Sequence, residues 1–314
     1  MTYDITIGIP TYNRSNLLPR AIESALAQEN VNVEVIISDN NSSDDTAKVV
    51  GKYAQDPRVK YIKNSFNIGP VANYNQCLNK ASGKFFMILG DDDWLSENYC
   101  KILVNYLERE DAVFLGMCIA ISPDGAILNK SFSKPFDLPG LDAINCLISK
   151  DKKLRRHANF MLAARTQSLR DVDGFPNTDA AQHSDNMLLL RLLLTRRLFY
   201  DPLAVNYYSV YPNSYGNCNI PAVAIASAQY IDYWDRIISP SISASLSRFQ
   251  VISLRRKLIN SVSLLYIDRV IRYGKSIPEK LKLLAIFPNY SWLFSALLSP
   301  SLAKTVARRL GFKI

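Results

Sequence analysis

Apolar runs punctuate the first ninety residues at 4–9, 33–38, 59–62 and 85–89, and each is nearly unbroken instead of alternating with polar residues. Continuous runs of this length predict strands buried on both faces. Behind each run comes a stretch with helical spacing, beginning near Ser15, Ser43, Gly69 and Ser96, where the serines are suited to N-cap positions. Strand and helix in regular alternation predict an α/β fold with a mostly parallel sheet covered by helices. Beyond residue 112 the pattern is less regular, with strands expected at 113–119 and 203–208 and a strong helix at 182–195. From about Pro221 the chain reads as helical, interrupted at Pro240, Pro278, Pro288 and Pro300.

Sites in open α/β sheets lie beyond the carboxyl ends of the strands. The segments there are PTYNR (10–14), DNNSSDDT (39–46), KNSFNIG (63–69) and GDDDWL (90–95). Asp91, Asp92 and Asp93 would repel one another unless a cation, a donor or water satisfies them. Mg²⁺ or Mn²⁺, completed by substrate phosphate oxygens, is one solution; a solvated loop with Asp93 capping the following helix is the other. Asp39, followed by Asn40, Asn41, Ser42 and Ser43, suits either the edge of a base or ribose, or an Asx turn ahead of a helix. Two such segments on one sheet edge point to a nucleotide.

In order, spacing and strand context, IPTYNR, VEVIISDNNSSDDT and NIGPVANYNQCLNKASGKFFMILGDDDWL resemble the nucleotide-binding half of family 2 glycosyltransferases. The resemblance covers roughly residues 4–110 and implies the GT-A fold, a Rossmann-like α/β architecture. It implies that Pro10, Thr11, Tyr12, Asn13, Arg14 and Asn67 line the nucleotide site and that Asp39 meets the base. Asp91 or Asp92 would meet the ribose, and Asp92 or Asp93 the diphosphate-bound Mg²⁺ or Mn²⁺. Further on, DGFPNTDAAQHSDNMLLLRLLL resembles the family's acceptor segment, which makes Asp185 the catalytic base, with Asp179 as the alternative. Three positions depart from the pattern: Gly90 where an aspartate is common, Tyr74 where an arginine is common, and Ser184 for the usual glutamate.

The implied reaction is an inverting, metal-dependent, single transfer of sugar from a nucleotide donor, of the UDP- or dTDP-sugar kind, to a saccharide or lipid-linked saccharide. It is the chemistry of bacterial cell-surface polysaccharide synthesis. The processive signature QxxRW is absent, as are GxSxG and GxGxxG. A catalytically idle nucleotide-sugar-binding protein is the alternative reading.

Charge refines this picture. The net charge of +9 is concentrated after residue 245, where thirteen Lys and Arg face only Asp268 and Glu279. The acidic sheet edge lies outside that stretch, so a nucleic-acid partner is not expected. Val251, Leu254, Leu258, Val262 and Leu265 recur at helical spacing among Arg255, Arg256, Lys257, Arg269 and Arg272, an amphipathic basic helix suited to an anionic membrane surface. The segment containing Trp292 and Phe294 is too short and too polar to span a bilayer. We therefore expect a catalytic domain at 1–220 and a basic helical extension at 221–314, in the cytoplasm and peripheral on the inner membrane, with a homodimer left open. Five scattered cysteines predict free thiols and no zinc site, and His157 and His183 predict structural roles.

Overall fold

The apolar runs become β1 (Ile5–Thr11), β2 (Val33–Asp39), β3 (Val59–Lys63) and β4 (Phe85–Ile88), with α1 (Leu18–Leu26), α2 (Thr46–Gly51), α3 (Pro70–Lys80) and α4 (Tyr99–Leu107) following them in turn. The structure is a computed structural model that describes residues 2–130, 134–149, 161–178, 181–211, 220–273 and 279. Asp179, His157, Pro278, Pro288, Pro300, Trp292 and Phe294 lie outside the described residues.

The three serines expected as N-caps do not cap. The N-cap residues are Leu17, Asp45 and Asn98, and none makes a side-chain cap bond. Two of those serines instead join neighbouring loops: Ser15 N donates to Asp44 Oδ2 (2.9 Å) and Ser43 N to Asn13 Oδ1 (2.8 Å). Proline in the first turn starts both α1 and α3, since its fixed φ suits that position and its missing N–H would be unsatisfied there.

Further strands are β5 (Trp94–Leu95), β6 (Ala112–Ile121), β7 (Ile127–Lys130), β8 (Phe136–Leu138), β9 (Ala163–Arg165) and β10 (Arg197–Ser209), with α5 (Gly140–Ile148), α6 (Thr166–Arg170) and α7 (Ser184–Leu193) between them. Among the described residues they form one sheet in the order β3-β2-β1-β4-β9-β6-β10-β5, with β7 paired to β6 and β8 to β10. The β3-β2-β1-β4 half is parallel, as is the β6–β10 pair, while β9 runs antiparallel to both β4 and β6. Every residue of β2 and β4 is buried, which explains their unbroken apolar sequences. From β1 the chain goes outward through β2 and β3 and returns as β4 on the other side. The order therefore reverses at β1, and this switch point, beyond the carboxyl ends of β1 and β4, is where open α/β sheets place their binding crevice.

Two compact units make up the chain. The first, residues 1–144, 152–177 and 184–211, holds the whole sheet. The second comprises 145–151, 178–183 and 212–314. Its described helices are Ile220–Tyr233, a π-helical turn Trp234–Ile238, Ser239–Ile242 and Arg248–Tyr273. Within it Arg255 holds Asp235 through two bonds of 2.6 Å, and the His183 ring stacks on Tyr230 at 4.9 Å. Val251, Leu254, Leu258 and Val262, expected on a membrane-facing stripe, are buried in the fold. Among the described side chains of that helix, the exposed large apolar ones are Phe249 (85%) and Ile252 (47%), which share a face with exposed Arg256. Among the described residues no helix is long and apolar enough to cross a membrane, and Cys77, Cys100, Cys118 and Cys146 form no disulfide.

Candidate active site

The crevice at the β1/β4 switch point is closed by a small set of polar bonds. Thr11, the last residue of β1, donates from Oγ1 to Asp91 Oδ2 at 2.8 Å. Arg14 reaches back from the following turn and bridges two carboxylates, with Nη1 at 3.1 Å from Asp91 Oδ1 and 2.9 Å from Asp92 Oδ2. Arg20, on α1, donates to the Asp92 carbonyl (2.7 Å) and to Ser209 Oγ (3.0 Å), and its guanidinium lies 3.7 Å above the Trp94 ring. Ser209, at the end of β10, donates its N–H to Asp93 Oδ1 at 2.8 Å and its hydroxyl to the Asp92 carbonyl. Residues from β1, the turn after it, α1 and β10 thus hold one acidic loop.

Burial dominates the electrostatics of this loop. Asp91 is pushed up to about 6 by burial, with Arg14 opposing the shift and Asp92 adding to it. The Asp92 carboxyl is also raised by burial against the opposing charge of Arg14. Asp93 is raised well above the usual carboxylate range, by burial first and then by the charge of Asp92. Its Oδ2 is buried and has no partner, an atom that is expensive to leave bare and that a cation would satisfy. Gly90 makes this arrangement possible: a Cβ there would stand 2.6 Å from Asp93 Oδ2. An aspartate at position 90 is therefore incompatible with Asp93 folded back in this way.

The β2 edge is built differently. Asp39 is fully buried, and both its oxygens accept bonds, one from Ser42 N (2.7 Å) and one from the Tyr61 hydroxyl (2.6 Å). This Asx turn sets Ser42 so that its Oγ accepts Asn13 N at 2.9 Å, joining the β2 loop to the β1 loop. Asn13 takes a left-handed conformation (φ 53°) to make that junction. Asn67 Oδ1 accepts from Asn40 Nδ2 and from Gly69 N, both at 2.9 Å, so it fastens the loop before α3. Pro10 is half-buried and Tyr12 is 46% exposed at the rim.

Asp185 is half-buried in the first turn of α7, where it accepts Asn186 Nδ2 at 3.0 Å. Burial lifts its carboxyl to about 6, against the pull of backbone and side-chain donors at Asn186. A chain of contacts positions it. Asn75, on α3, pairs with the Phe175 backbone in both directions, at 2.9 and 2.8 Å. Gly174 turns there with φ 68°, and a Cβ would meet Asn75 Oδ1 at 2.5 Å, so only glycine fits. Ser184 Oγ then donates to the Pro176 carbonyl at 2.7 Å, fixing the start of α7 to that turn.

Tyr74 links the two carboxylate regions. Its ring packs edge-on against Phe175 at 5.7 Å. Its hydroxyl is held protonated by burial, and then by the negative charges of Asp185 and Asp91 together. The base candidate and the acidic loop therefore act on one phenol. Sequence reading missed Arg20 and Ser209: Arg20 is an ordinary helix residue in sequence, and Ser209 lies far along the chain from the loop it holds. Tyr74 was visible only as a departure from a pattern.

Among the described residues no three His, Cys, Asp or Glu side chains converge as a preformed cage for a metal ion. The donor set nevertheless fits a hard cation, because Mg²⁺ or Mn²⁺ needs only one or two carboxylates beside phosphate oxygens and waters, and Asp93 Oδ2 is bare.

Residues 6–164 match the sequence profile of the family described as "Glycosyl transferase family 2". Among curated proteins, the chain is 33% identical over 173 residues to the GalNAc(5)-diNAcBac-PP-undecaprenol beta-1,3-glucosyltransferase of Campylobacter jejuni, covering 54% of this chain and 54% of that one. The chain thus spans about half the length of that relative. Among solved structures, S. aureus TarS 1–349 superposes with a TM-score of 0.64 at 19% identity, covering 91% of this chain and 80% of that one. The mannosyltransferase PcManGT of Pyrobaculum calidifontis, solved in complex with GDP-Man and Mn²⁺, superposes with a TM-score of 0.52 at 15% identity, covering 99% and 88%. At these identities the two structures show a common fold.

Proposed function

Because this chain belongs to glycosyl transferase family 2 and is a glycosyltransferase, we propose that it moves one sugar from a nucleotide donor onto a saccharide carried on a lipid diphosphate, in bacterial surface polysaccharide synthesis. The observation that carries this reading is the acidic loop past β4, held by Thr11, Arg14 and Ser209 with Asp93 Oδ2 left bare, on a sheet domain that also anchors Asp185 at the start of α7. A nucleotide-sugar transferase needs one group that neutralises a departing diphosphate and a separate base for the attacking hydroxyl.

In this reading the nucleoside lies against Pro10, Thr11, Tyr12 and the Asn13–Ser42 junction, with Asp39 organising the base edge and Asp91 or Asp92 meeting the ribose. Asn67 supports the same edge from the loop before α3. Asp93, with Asp92, would hold Mg²⁺ or Mn²⁺. That ion would neutralise charge on the departing diphosphate. Tyr74, kept protonated, donates toward the same oxygens. Asp185 accepts the proton of the acceptor hydroxyl as the oxygen attacks the anomeric carbon from the face opposite the diphosphate, which gives inversion in one step. Ser184 anchors the base's helix instead of supplying a second carboxylate.

The donor is of the UDP- or dTDP-sugar kind, and transfer is a single addition. The catalytic domain is assigned to 1–220 and the extension to 221–314. In the extension, exposed Phe249 and Ile252 beside Arg248, Arg256 and Lys257 suit an anionic membrane surface, on the cytoplasmic face where such acceptors are built. The test is release of nucleoside diphosphate from a panel of nucleotide sugars with Mn²⁺, with and without a lipid diphosphate saccharide. Acceptor-dependent release is expected. Binding without any release or transfer would favour the catalytically idle alternative.

A further inference from the structure

Arg14 pairs with both Asp91 and Asp92, and Asp92 is one of the two carboxylates that would hold a divalent cation. Its Nη1 bridges the two carboxylates at 3.1 and 2.9 Å, and about one third of its side chain is exposed. Asp91 Oδ2 is already taken by Thr11, and Asp93 Oδ1 by Ser209. The atom in the loop that faces neither donor nor water is Asp93 Oδ2. An incoming ion therefore finds one bare buried oxygen, and a positive charge already seated on the Asp91 and Asp92 carboxylates. A cation arriving alone must compete with the guanidinium at close range, where like charges oppose each other strongly.

A nucleoside diphosphate changes that balance. Guanidinium groups bind phosphate oxygens in a two-pronged manner, so the diphosphate offers Arg14 a second partner, and the partly exposed side chain has solvent on one side into which it can turn. Once Arg14 turns to phosphate, Asp91 Oδ1 and Asp92 Oδ2 are released. We propose that Arg14 is a counter-ion lock: it keeps divalent metal out of the acidic loop of the free enzyme, and it yields those carboxylates when a nucleoside diphosphate arrives. Metal and donor then enter together, and the free enzyme does not retain metal. This ordering rests on the donor reading given above, but the lock itself is a property of the unliganded chain.

The test uses the full-length protein, with Mn²⁺ alone and UDP as the nucleotide probe, followed by isothermal titration calorimetry and by the loss of the free Mn²⁺ electron paramagnetic resonance signal. Wild type should bind Mn²⁺ weakly alone and at least about tenfold more tightly with UDP present. Arg14→Gln should bind Mn²⁺ alone at least about tenfold more tightly than wild type, the scale expected when a unit charge a few ångströms away is removed. Arg14→Lys, which keeps the charge, should stay near wild type. Circular dichroism establishes that each variant is folded. Equal or weaker Mn²⁺ binding by folded Arg14→Gln overturns the lock, whatever the nucleotide does. If that variant does not fold, wild type binding Mn²⁺ as tightly alone as with UDP overturns it. A panel of nucleoside diphosphates that binds neither protein overturns the donor reading instead, and the Mn²⁺ comparison still decides the lock.

Discussion

Replacing Asp185 with asparagine should move activity and stability in opposite directions. In the fold its carboxyl is raised from 3.8 to about 6 by burial. The folded chain therefore holds an extra proton between those two values, so stability falls as pH rises from about 4 through about 6 and stays lowered above that. At 1.36 kcal/mol per pH unit the rise corresponds to about 3 kcal/mol at neutral pH, which partial exposure reduces to about 1–2 kcal/mol. Asparagine has no charge to bury and keeps nearly the same shape. Asp185→Asn should melt about 2–6 °C higher than wild type at pH 7.5, with the gap closing near pH 4.5. Turnover should fall about 10²- to 10⁴-fold, the usual contribution of a positioned base, while donor binding is little changed. If Asp185 is merely a favourable charge in the first turn of α7, the variant should melt lower, by about 0.3–1 kcal/mol, and remain active. Differential scanning calorimetry at two pH values, with a nucleoside-diphosphate release assay, separates the two. A destabilised, active Asp185→Asn refutes the base assignment.

Other outcomes follow from the same geometry. Turnover of wild type should decline about tenfold per pH unit below about 6 as Asp185 takes up its proton, which a pH–rate profile at saturating donor would show. Tyr74→Phe keeps the ring against Phe175 but removes the hydroxyl that the charges of Asp185 and Asp91 act on; kcat should drop about tenfold with donor KM within about threefold, and unchanged kcat would remove Tyr74 from the mechanism. Gly90→Ala places a Cβ against Asp93 Oδ2, so melting should show a loss of about 1–3 kcal/mol together with loss of donor-induced stabilisation. Phe249→Ser combined with Ile252→Ser should abolish salt-sensitive flotation of the full-length chain with anionic vesicles, and flotation equal to wild type would exclude that face from membrane contact.

The first half of the fold was readable because β1, β2 and β4 are buried on both faces, so their sequences announce them as unbroken apolar runs. Helix starts were read less well: the loop serines bond across to other loops, and prolines start α1 and α3. The short antiparallel β9 gave no periodic signal in three residues, and β10 runs through Pro202 with a break in register between Asp201 and Val205. At the site, the PTYNR and DDD segments were visible by position alone. What was hidden is how they meet: Arg14 across the acidic loop, Ser209 from a strand over a hundred residues away, and Ser184 acting as an anchor. The basic helix misled in one respect, since amphipathic spacing cannot tell a membrane-facing stripe from one buried in the fold, and Val251, Leu254, Leu258 and Val262 are buried.

If the proposed function holds, the loop with Asp91, Asp92 and Asp93 receives the diphosphate of a nucleotide sugar together with a divalent cation. Thermal melting of the full-length chain against a panel of nucleotide sugars, each with and without Mn²⁺, tests it most directly, because a ligand bound only by the folded state raises the midpoint by mass action. One donor class should raise the midpoint in a Mn²⁺-dependent way, and Asp93→Asn should lose that rise while remaining folded. A panel in which no nucleotide sugar stabilises wild type, or in which Asp93→Asn responds as wild type does, would mean that this loop does not receive a donor diphosphate with its cation.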